Sequence, residues 1–191
     1  MEFGLNMLRQ SPVNEQLVVS PLSVIFALAM VHARANGKTK TQINRVISNG
    51  ATDDDTVGFY SNLAKDTLTP SNGVQMRIAN AFFLDKNFTI ESQYADTITG
   101  KYAAKVEALD FGQTRETAKI IDAFVSKSTE GKIKDIITED AVSGAFSIII
   151  NAIYFNAKRE HEFSKESIIN RTFYSTENVQ KQVGNRGKQV D

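Results

Sequence analysis

The stretch SIIINAIYFNAKREHEF, from Ser147 to Phe163, decides how the fold is interpreted. Its eight residues from Ile148 to Phe155 are all apolar except Asn151. An apolar run that does not alternate with polar residues is typical of a strand covered on both faces of a sheet. A buried amide without a partner costs roughly 1–3 kcal/mol. Asn151 must therefore find hydrogen-bond partners elsewhere in the chain.

The composition is that of an ordinary globular protein, with 191 residues, 41% of them apolar and 23% charged. Lys and Arg together number 22, as do Asp and Glu, so net charge favours neither a nucleic acid nor an anionic membrane as partner. The sequence has no cysteine, which excludes disulfides, thiolate nucleophiles and cysteine zinc sites. The two histidines, His32 and His161, are too few for a histidine-rich metal site. We predict no metal and no cofactor.

The first residues, MEFGLNMLRQSPVNEQ, contain no basic stretch followed by an apolar core, so they do not resemble a signal peptide. The most apolar helical segment, Leu22 to Val31, is too short to span a bilayer. We expect a soluble cytoplasmic protein, with an extracellular location as the alternative.

Helical and strand patterns alternate along the chain, which predicts a mixed α/β sheet domain. The predicted elements are a short amphipathic start at residues 3–9, a strand at Leu17–Val19, helices at Leu22–Val31, Thr41–Ser48 and about Asp54–Thr67, a strand at Val74–Leu84, a helix at residues 91–102, a strand at Ala103–Phe111, a helix at Thr114–Ser128, the strand at Ile148–Phe155, and one weak strand within Arg171–Val183.

The helix at Leu22–Val31 has clear start and stop signals. Ser20 is a good N-cap, and Pro21 occupies the first helical position, where a missing N–H does no harm. Gly37 is the residue expected to end the helix in a left-handed conformation. Because the helix is apolar around its whole circumference, we expect it to be buried on every side.

Catalytic motifs are absent, since the sequence has no G-x-S-x-G, no P-loop and no G-x-G-x-x-G. The acidic run at Asp53–Asp55 lacks the spacing of a calcium loop and is interpreted as a solvated turn. A helix-dipole contact is enough to explain His32, and His161 is expected to be exposed. Sequons begin at Asn87 and Asn170, and without a signal peptide we do not expect glycosylation.

Polar residues inside apolar segments are more informative. Taken singly, Ser20 caps the helix, Ser23 satisfies a backbone group of its first turn, and Asn151 pairs with local backbone. Taken together, Ser20, Ser23 and Asn151 indicate one polar cluster where a helix N-terminus meets the centre of a sheet.

Six segments along the chain form an ordered set. They are LVVSPLSVIFALAMV (17–31), GKTKTQI (37–43), RIANAFFLDKNFTI (77–90), EALDF (107–111), TEGKIKDII (129–137) and IIINAIYF (148–155). In their order and spacing, over nearly all of residues 3–183, these segments resemble the serpin family.

This resemblance implies an incomplete α+β serpin fold, made of the N-terminal helices and strands of the central sheet A. It places Asn151 on the third strand of that sheet, beside the region called the shutter, with Ser20 and Ser23 as partners. In a complete serpin the sheet opens there to admit the reactive loop as an extra strand. The implied partner is a serine or cysteine protease, and the implied function is inhibition rather than an enzymatic activity.

The sequence also departs from the family pattern. Arg159 stands where tryptophan is usual, Phe124 and Asp122 are milder changes, and residues 184–191 form a polar tail outside the pattern. We therefore expect a partial serpin domain at residues 1–183 that lacks the reactive-centre loop and is not itself inhibitory. The alternatives are a non-inhibitory truncated serpin that acts as an interaction protein, or a non-functional truncated product. Separately, we expect that the chain can self-associate through the strand Ile148–Phe155.

Overall fold

The computed structural model describes residues 2–12, 18–68, 73–157, 168–176 and 179–186. Helices and strands occupy most of these ranges. They are α1 (Glu2–Arg9), α2 (Pro21–His32), α3 (Gly37–Ser48), α4 (Asp53–Leu68), β1 (Val74–Asp85), α5 (Ser92–Tyr102), β2 (Lys105–Leu109), α6 (Thr114–Ser128), α7 (Glu139–Val142), β3 (Ser147–Ala157), β4 (Ile168–Thr176) and β5 (Val179–Arg186). No helix among the described residues has both the length and the apolar character needed to cross a membrane.

A three-stranded sheet organises the first of two compact units, which comprises residues 1–10 and 19–156. β1 and β2 run parallel, in a register that pairs Ala81 with Lys105 and Asp85 with Leu109. The strand order is β2-β1-β3. β3 is consequently an edge strand of the sheet that the described residues form.

Both faces of this sheet are covered, which explains the continuous apolar sequence of its strands. Phe83 and Ile150 lie in a core with Ile121 and Val125 of α6. On the opposite face, Phe82 belongs to a second core with residues of α2, α4 and α5. Ile149 and Ile153 pack against that second core. Successive residues of a strand point to opposite faces, so β1 and β3 supply apolar side chains to both layers.

The second compact unit comprises residues 11–18 and 157–191 and contains the antiparallel pair β4–β5. The sequence predicted a single weak strand here, and the structure has two. Their pairing runs from Ile168 opposite Arg186 to Thr176 opposite Val179. The strand β5 thus continues through residues 184–186, the first three residues of the polar tail, because backbone pairing does not require apolar side chains. Residues 187–191 lie outside the described part of the chain.

Three local predictions were wrong. Residues 18 and 19 are not in a strand and Val18 is fully exposed, while Leu17 lies outside the described residues. Gly37 has a φ of +55° but begins α3 instead of ending α2. Asp53–Asp55 form the first turn of α4, where the hydroxyl of Thr52 accepts the N–H of Asp55 at 3.2 Å and carboxylates suit the helix N-terminus.

The helix α2 was predicted correctly, with Ser20 as N-cap and Pro21 in its first turn. The prediction that this helix is buried on every side is only partly correct for the described residues. Phe26, Ala29 and Met30 are fully buried, whereas Val24 is 36% exposed. The short helix α7, capped by Thr138, was not predicted, because four residues are too few to show a helical period.

Candidate functional site

Two amides lie between β1 and β3 in the middle of the sheet. Nδ2 of Asn151 donates a hydrogen bond of 2.6 Å to Oδ1 of Asn80. Nδ2 of Asn80 in turn donates a 2.7 Å bond to the backbone carbonyl of Tyr102, the last residue of α5. The partner that the sequence requires for Asn151 is therefore a second amide, Asn80, on the neighbouring strand.

The chain of bonds fixes the orientation of both amides. Because the Tyr102 carbonyl can only accept, Asn80 must present its nitrogen there and its oxygen to Asn151. Asn151 must then present its own nitrogen to Asn80. Its oxygen Oδ1 is buried and has no hydrogen-bond partner among the described residues. One acceptor of the amide pair is left to be satisfied, at a strand that forms the sheet edge.

Asn80 was missed by the sequence interpretation, although the same signal marks it. It interrupts the apolar run Ile78–Leu84 as Asn151 interrupts Ile148–Phe155. Asn80 is only 4% exposed. Since adjacent strands can bring such residues side by side, two interrupting amides indicate a pair more strongly than either indicates a local backbone contact.

The two serines of the predicted cluster lie at the start of α2. Oγ of Ser20 accepts the backbone N–H of Ser23 at 3.3 Å, so the capping role of Ser20 is confirmed. The described hydrogen bonds pair Asn151 with Asn80 and contain none between Asn151 and Ser20 or Ser23. Local backbone pairing of Asn151 was the wrong alternative. The three-residue cluster with Ser20 and Ser23 stays a prediction.

Tyr102 closes the amide chain on the side of α5. Its side chain is 1% exposed, and its hydroxyl has no partner among the described residues. Burial raises the pKa of Tyr102 to about 12, with smaller contributions from Tyr60 and Tyr94. The phenol is therefore a neutral group at physiological pH.

A separate charged cluster joins the ends of α2, α3 and α4. His32 is 1% exposed, and its Nε2 lies 3.3 Å from Oδ1 of Asp53, an ion-pairing distance without hydrogen-bond alignment. Lys40 forms an ion pair with the other oxygen of Asp53. Burial lowers the pKa of His32, an effect that Asp53 opposes and Lys40 reinforces. The Lys40 hydrogen bond lowers the pKa of Asp53. The helix dipole alone does not account for His32.

Asp122 and Phe124, two of the positions noted in the sequence, both make structural contacts. Oδ1 of Asp122 accepts the backbone N–H groups of Ile136 and Ile137 at 3.0 and 3.1 Å. The ring of Phe124 packs edge-on against Phe83, with centroids 5.7 Å apart. Asp122 thus ties the segment that precedes α7 to α6, while Phe124 packs α6 onto β1.

His161 and Arg159 lie outside the described residues. Asn87 and Asn170, which begin the two sequons, are both exposed. Among the described residues, no group of three or more histidine, aspartate or glutamate side chains is arranged to hold a metal ion.

Comparison with known proteins agrees with this arrangement of sheet and helices. The family model described as Serpin (serine protease inhibitor) matches residues 1–184. Serpin B6 of Bos taurus is 33% identical over 176 residues, covering 89% of this chain and 46% of that protein. Ovalbumin-related protein Y of Gallus gallus is 30% identical over 193 residues, covering 93% of this chain and 50% of that protein. The chain belongs to the serpin family.

Solved structures of longer chains contain the same fold. Cleaved kallistatin in complex with heparin matches with a TM-score of 0.82 and 25% identity, over 96% of this chain and 54% of that one. Ovalbumin from emu (Dromaius novaehollandiae) matches with a TM-score of 0.86 and 24% identity, over 96% of this chain and 52% of that one. The expected α+β serpin fold is thus confirmed. The chain spans about half the length of the curated relatives it matches.

Proposed function

We propose that these residues provide the amino-terminal half of a serpin-type inhibitor of serine or cysteine proteases, and that they are not an enzyme. The observation that carries the proposal is the position of β3. This strand lies at the edge of the described sheet and is apolar towards both cores, with Ile150 in one core and Ile149 and Ile153 against the other. An edge strand of this kind is suited to accept a further strand.

The amide pair supports the same role. An unsatisfied buried acceptor costs roughly 1–3 kcal/mol. A strand that came to lie beside β3 and offered a donor to Oδ1 of Asn151 would recover part of that free energy. Directional bonds of this kind favour one register, yet they can be exchanged when a sheet opens.

We further propose that the 191 residues taken alone do not trap a protease. The resemblance assigns none of them to the reactive-centre loop, and they match about half of each curated relative. Suicide inhibition needs a bait bond, a mobile hinge and a slot in the sheet. Of these, β3 supplies one side of the slot.

The test is an incubation of the purified chain with trypsin, chymotrypsin, elastase and a cysteine cathepsin, followed by electrophoresis in SDS. We expect cleavage or no reaction, and no band at the summed mass. The matched controls are a complete serpin that traps the same protease and the amino-terminal half of that serpin, ended at the corresponding residue. A covalent adduct of the 191-residue chain would contradict the proposal that it is not inhibitory alone.

A second candidate function is an interaction protein that associates through β3, and it is favoured by exposed apolar surface on the same strand. Phe155, within β3, is 61% exposed, and Phe146, the residue that directly precedes β3, is 68% exposed. Paired edges of β3 from two copies would satisfy backbone groups and cover apolar area together. A cytoplasmic location remains part of the proposal, with an extracellular one as the alternative.

A further inference from the structure

An open cavity of about 580 Å³ lies among the first four helices, away from β3. Its walls include Phe3 of α1, Ile25 of α2, Val46 of α3, and Phe59 and Tyr60 of α4. This volume falls within the range of about 300–1,000 Å³ that is typical of small-molecule sites.

The walls combine apolar and aromatic side chains with a few polar ones, and part of the aromatic wall is fixed by a hydrogen bond. The hydroxyl of Tyr60 donates to the backbone carbonyl of Ile47, which holds its ring in place. Phe59 packs edge-on against Tyr60 with ring centroids 5.1 Å apart, yet it is 63% exposed, and Val46 is 51% exposed. A large apolar side chain left this exposed forgoes part of the roughly 1.5–3 kcal/mol that full burial provides. A ligand with an aromatic group would recover it.

Asp55 is the one charged residue in the described lining of the cavity. The Thr52 hydroxyl donates to its Oδ2 at 2.6 Å, and the N–H of Asp55 donates back to that hydroxyl at 3.2 Å. A carboxylate has about four acceptor positions, so this bond leaves most of its capacity free while fixing its direction.

The charge at this place is negative on balance. Asp53, Asp54 and Asp55 form the first turn of α4, and Lys40 pairs with Asp53. The helix N-terminus adds a partial charge of only about +0.5. Arg45 lines the adjoining groove together with Lys40 and Asp53. Three carboxylates still outweigh one lysine, one arginine and the partial charge of the helix dipole.

We propose that this cavity binds a small apolar organic cation of the arylalkylamine class. The aromatic group packs among Phe3, Phe59 and Tyr60, and the ammonium group bonds to the carboxylate of Asp55. Aromatic faces near the ammonium group add a cation–π attraction.

The protein is well suited to a fluorescence test because it has no tryptophan. The emission of an indole ligand is therefore free of protein tryptophan background. The probes are tryptamine, which is a cation, 3-ethylindole, which is neutral, and indole-3-propionate, which is an anion. We expect saturable binding of tryptamine about tenfold tighter than that of 3-ethylindole, the difference made by one charge-assisted bond, and weaker binding still of the anion.

Variants locate the site. Asp55→Asn keeps an acceptor for the Thr52 hydroxyl, and it should reduce tryptamine binding to the level of 3-ethylindole. Asp54→Asn removes the same charge from the neighbouring position, which is not part of the described lining, and should change binding by less than about twofold. Phe59→Ala should weaken both tryptamine and 3-ethylindole. Circular dichroism melts of each variant show whether the fold is retained.

Three results would overturn the proposal. One is the absence of saturable tryptamine binding to the folded wild-type chain. The others are equal affinity for tryptamine and 3-ethylindole, and tryptamine binding that survives Asp55→Asn. None of these results bears on protease inhibition, because the cavity shares no lining residue with β3.

Discussion

Asn80 and Asn151 join neighbouring strands of the sheet through a 2.6 Å bond between their side-chain amides, and Asn80 extends the connection to the Tyr102 carbonyl. Asn80 is therefore the central member of the chain of bonds, with one partner on each side. Asn151 is its end, with an acceptor oxygen still unsatisfied among the described residues.

Removal of either amide should destabilise the fold, but the two substitutions leave different groups without hydrogen-bond partners. Asn151→Ala leaves Oδ1 of Asn80 unpaired but also deletes the unsatisfied acceptor of Asn151. Asn80→Ala leaves both the Tyr102 carbonyl and Nδ2 of Asn151 without partners. We expect losses of about 1–3 kcal/mol in the free energy of unfolding, larger for Asn80→Ala than for Asn151→Ala.

Denaturant unfolding of the two single variants and the double variant measures this effect. The double-mutant cycle should give a coupling energy of roughly 0.5–3 kcal/mol. Asn156→Ala is the matched control, because Asn156 is an exposed amide on the same strand. Additive effects of the two single changes would show that the pair does not act as a unit.

The exposed edge leads to a prediction about association. We expect the 191-residue chain to self-associate at micromolar concentration and to bind an apolar dye, because β3 offers unpaired backbone groups beside exposed apolar side chains. Phe155→Lys should shift the association to higher concentration, since a lysine at a strand edge opposes pairing.

Size-exclusion chromatography with light scattering reports the shift. Phe173→Lys is the control, because Phe173 is 55% exposed, close to the 61% of Phe155, but lies on β4. A monomer with a sharp cooperative melt and no dye binding would contradict this prediction. An equal effect of Phe155→Lys and Phe173→Lys would show that β3 is not the interface.

His32 should make stability depend on pH. Burial lowers the pKa of His32 in the folded protein below its ordinary value of 6.5. As the pH falls through 6.5, the unfolded chain therefore takes up a proton that the native chain does not, and stability decreases until the native pKa is reached. Asp53 acts in a lower window, because its folded pKa lies below 3.8 and the stability that it contributes is lost only as the pH falls past that value.

Thermal melts between about pH 7.5 and about pH 5.5 measure the contribution of His32 to the pH dependence of stability, because this range lies above that in which Asp53 acts. The wild-type midpoint should fall towards acid, and His32→Gln should flatten the dependence. His161→Gln, which alters the other histidine of the chain, is the control. It should leave the slope of the melting midpoint against pH the same as in the wild type. A slope unchanged by His32→Gln would assign the pH dependence to other groups.

Asp122 should act through its two backbone partners. Asp122→Ala removes the acceptor shared by the N–H groups of Ile136 and Ile137, so their hydrogen exchange should accelerate. The expected loss of stability is about 1 kcal/mol, because the Ile136 bond is exposed and the Ile137 bond is only partly buried. Asp122→Asn retains an Oδ1 acceptor and should exchange close to the wild-type rate. Equal acceleration by both substitutions would mean that the negative charge, and not the acceptor geometry, holds this segment.

Much of the fold was predictable because it depends on local pattern. The bounds of α4 and α6 and the long strand β1 follow from apolar periodicity, and Ser20 and Pro21 define the start of α2. The errors fall where local pattern is weak. The run Leu17–Val19 is apolar but short, α7 has a single turn, and β4 and β5 carry little alternation.

For the candidate site, the sequence by itself determined that Asn151 needs partners, because an amide in a strand covered on both faces cannot be left without them. It also determined the family, through the order and spacing of several segments. Only the tertiary structure decided which group forms a hydrogen bond with Asn151. Asn80 lies 71 residues earlier in the chain, and its choice as partner depends on β1 and β3 being neighbours in the sheet. The same holds for Asp53 beside His32 and for Asp55 at the cavity, since contacts between distant segments depend on how elements pack and not on the local pattern that forms each one.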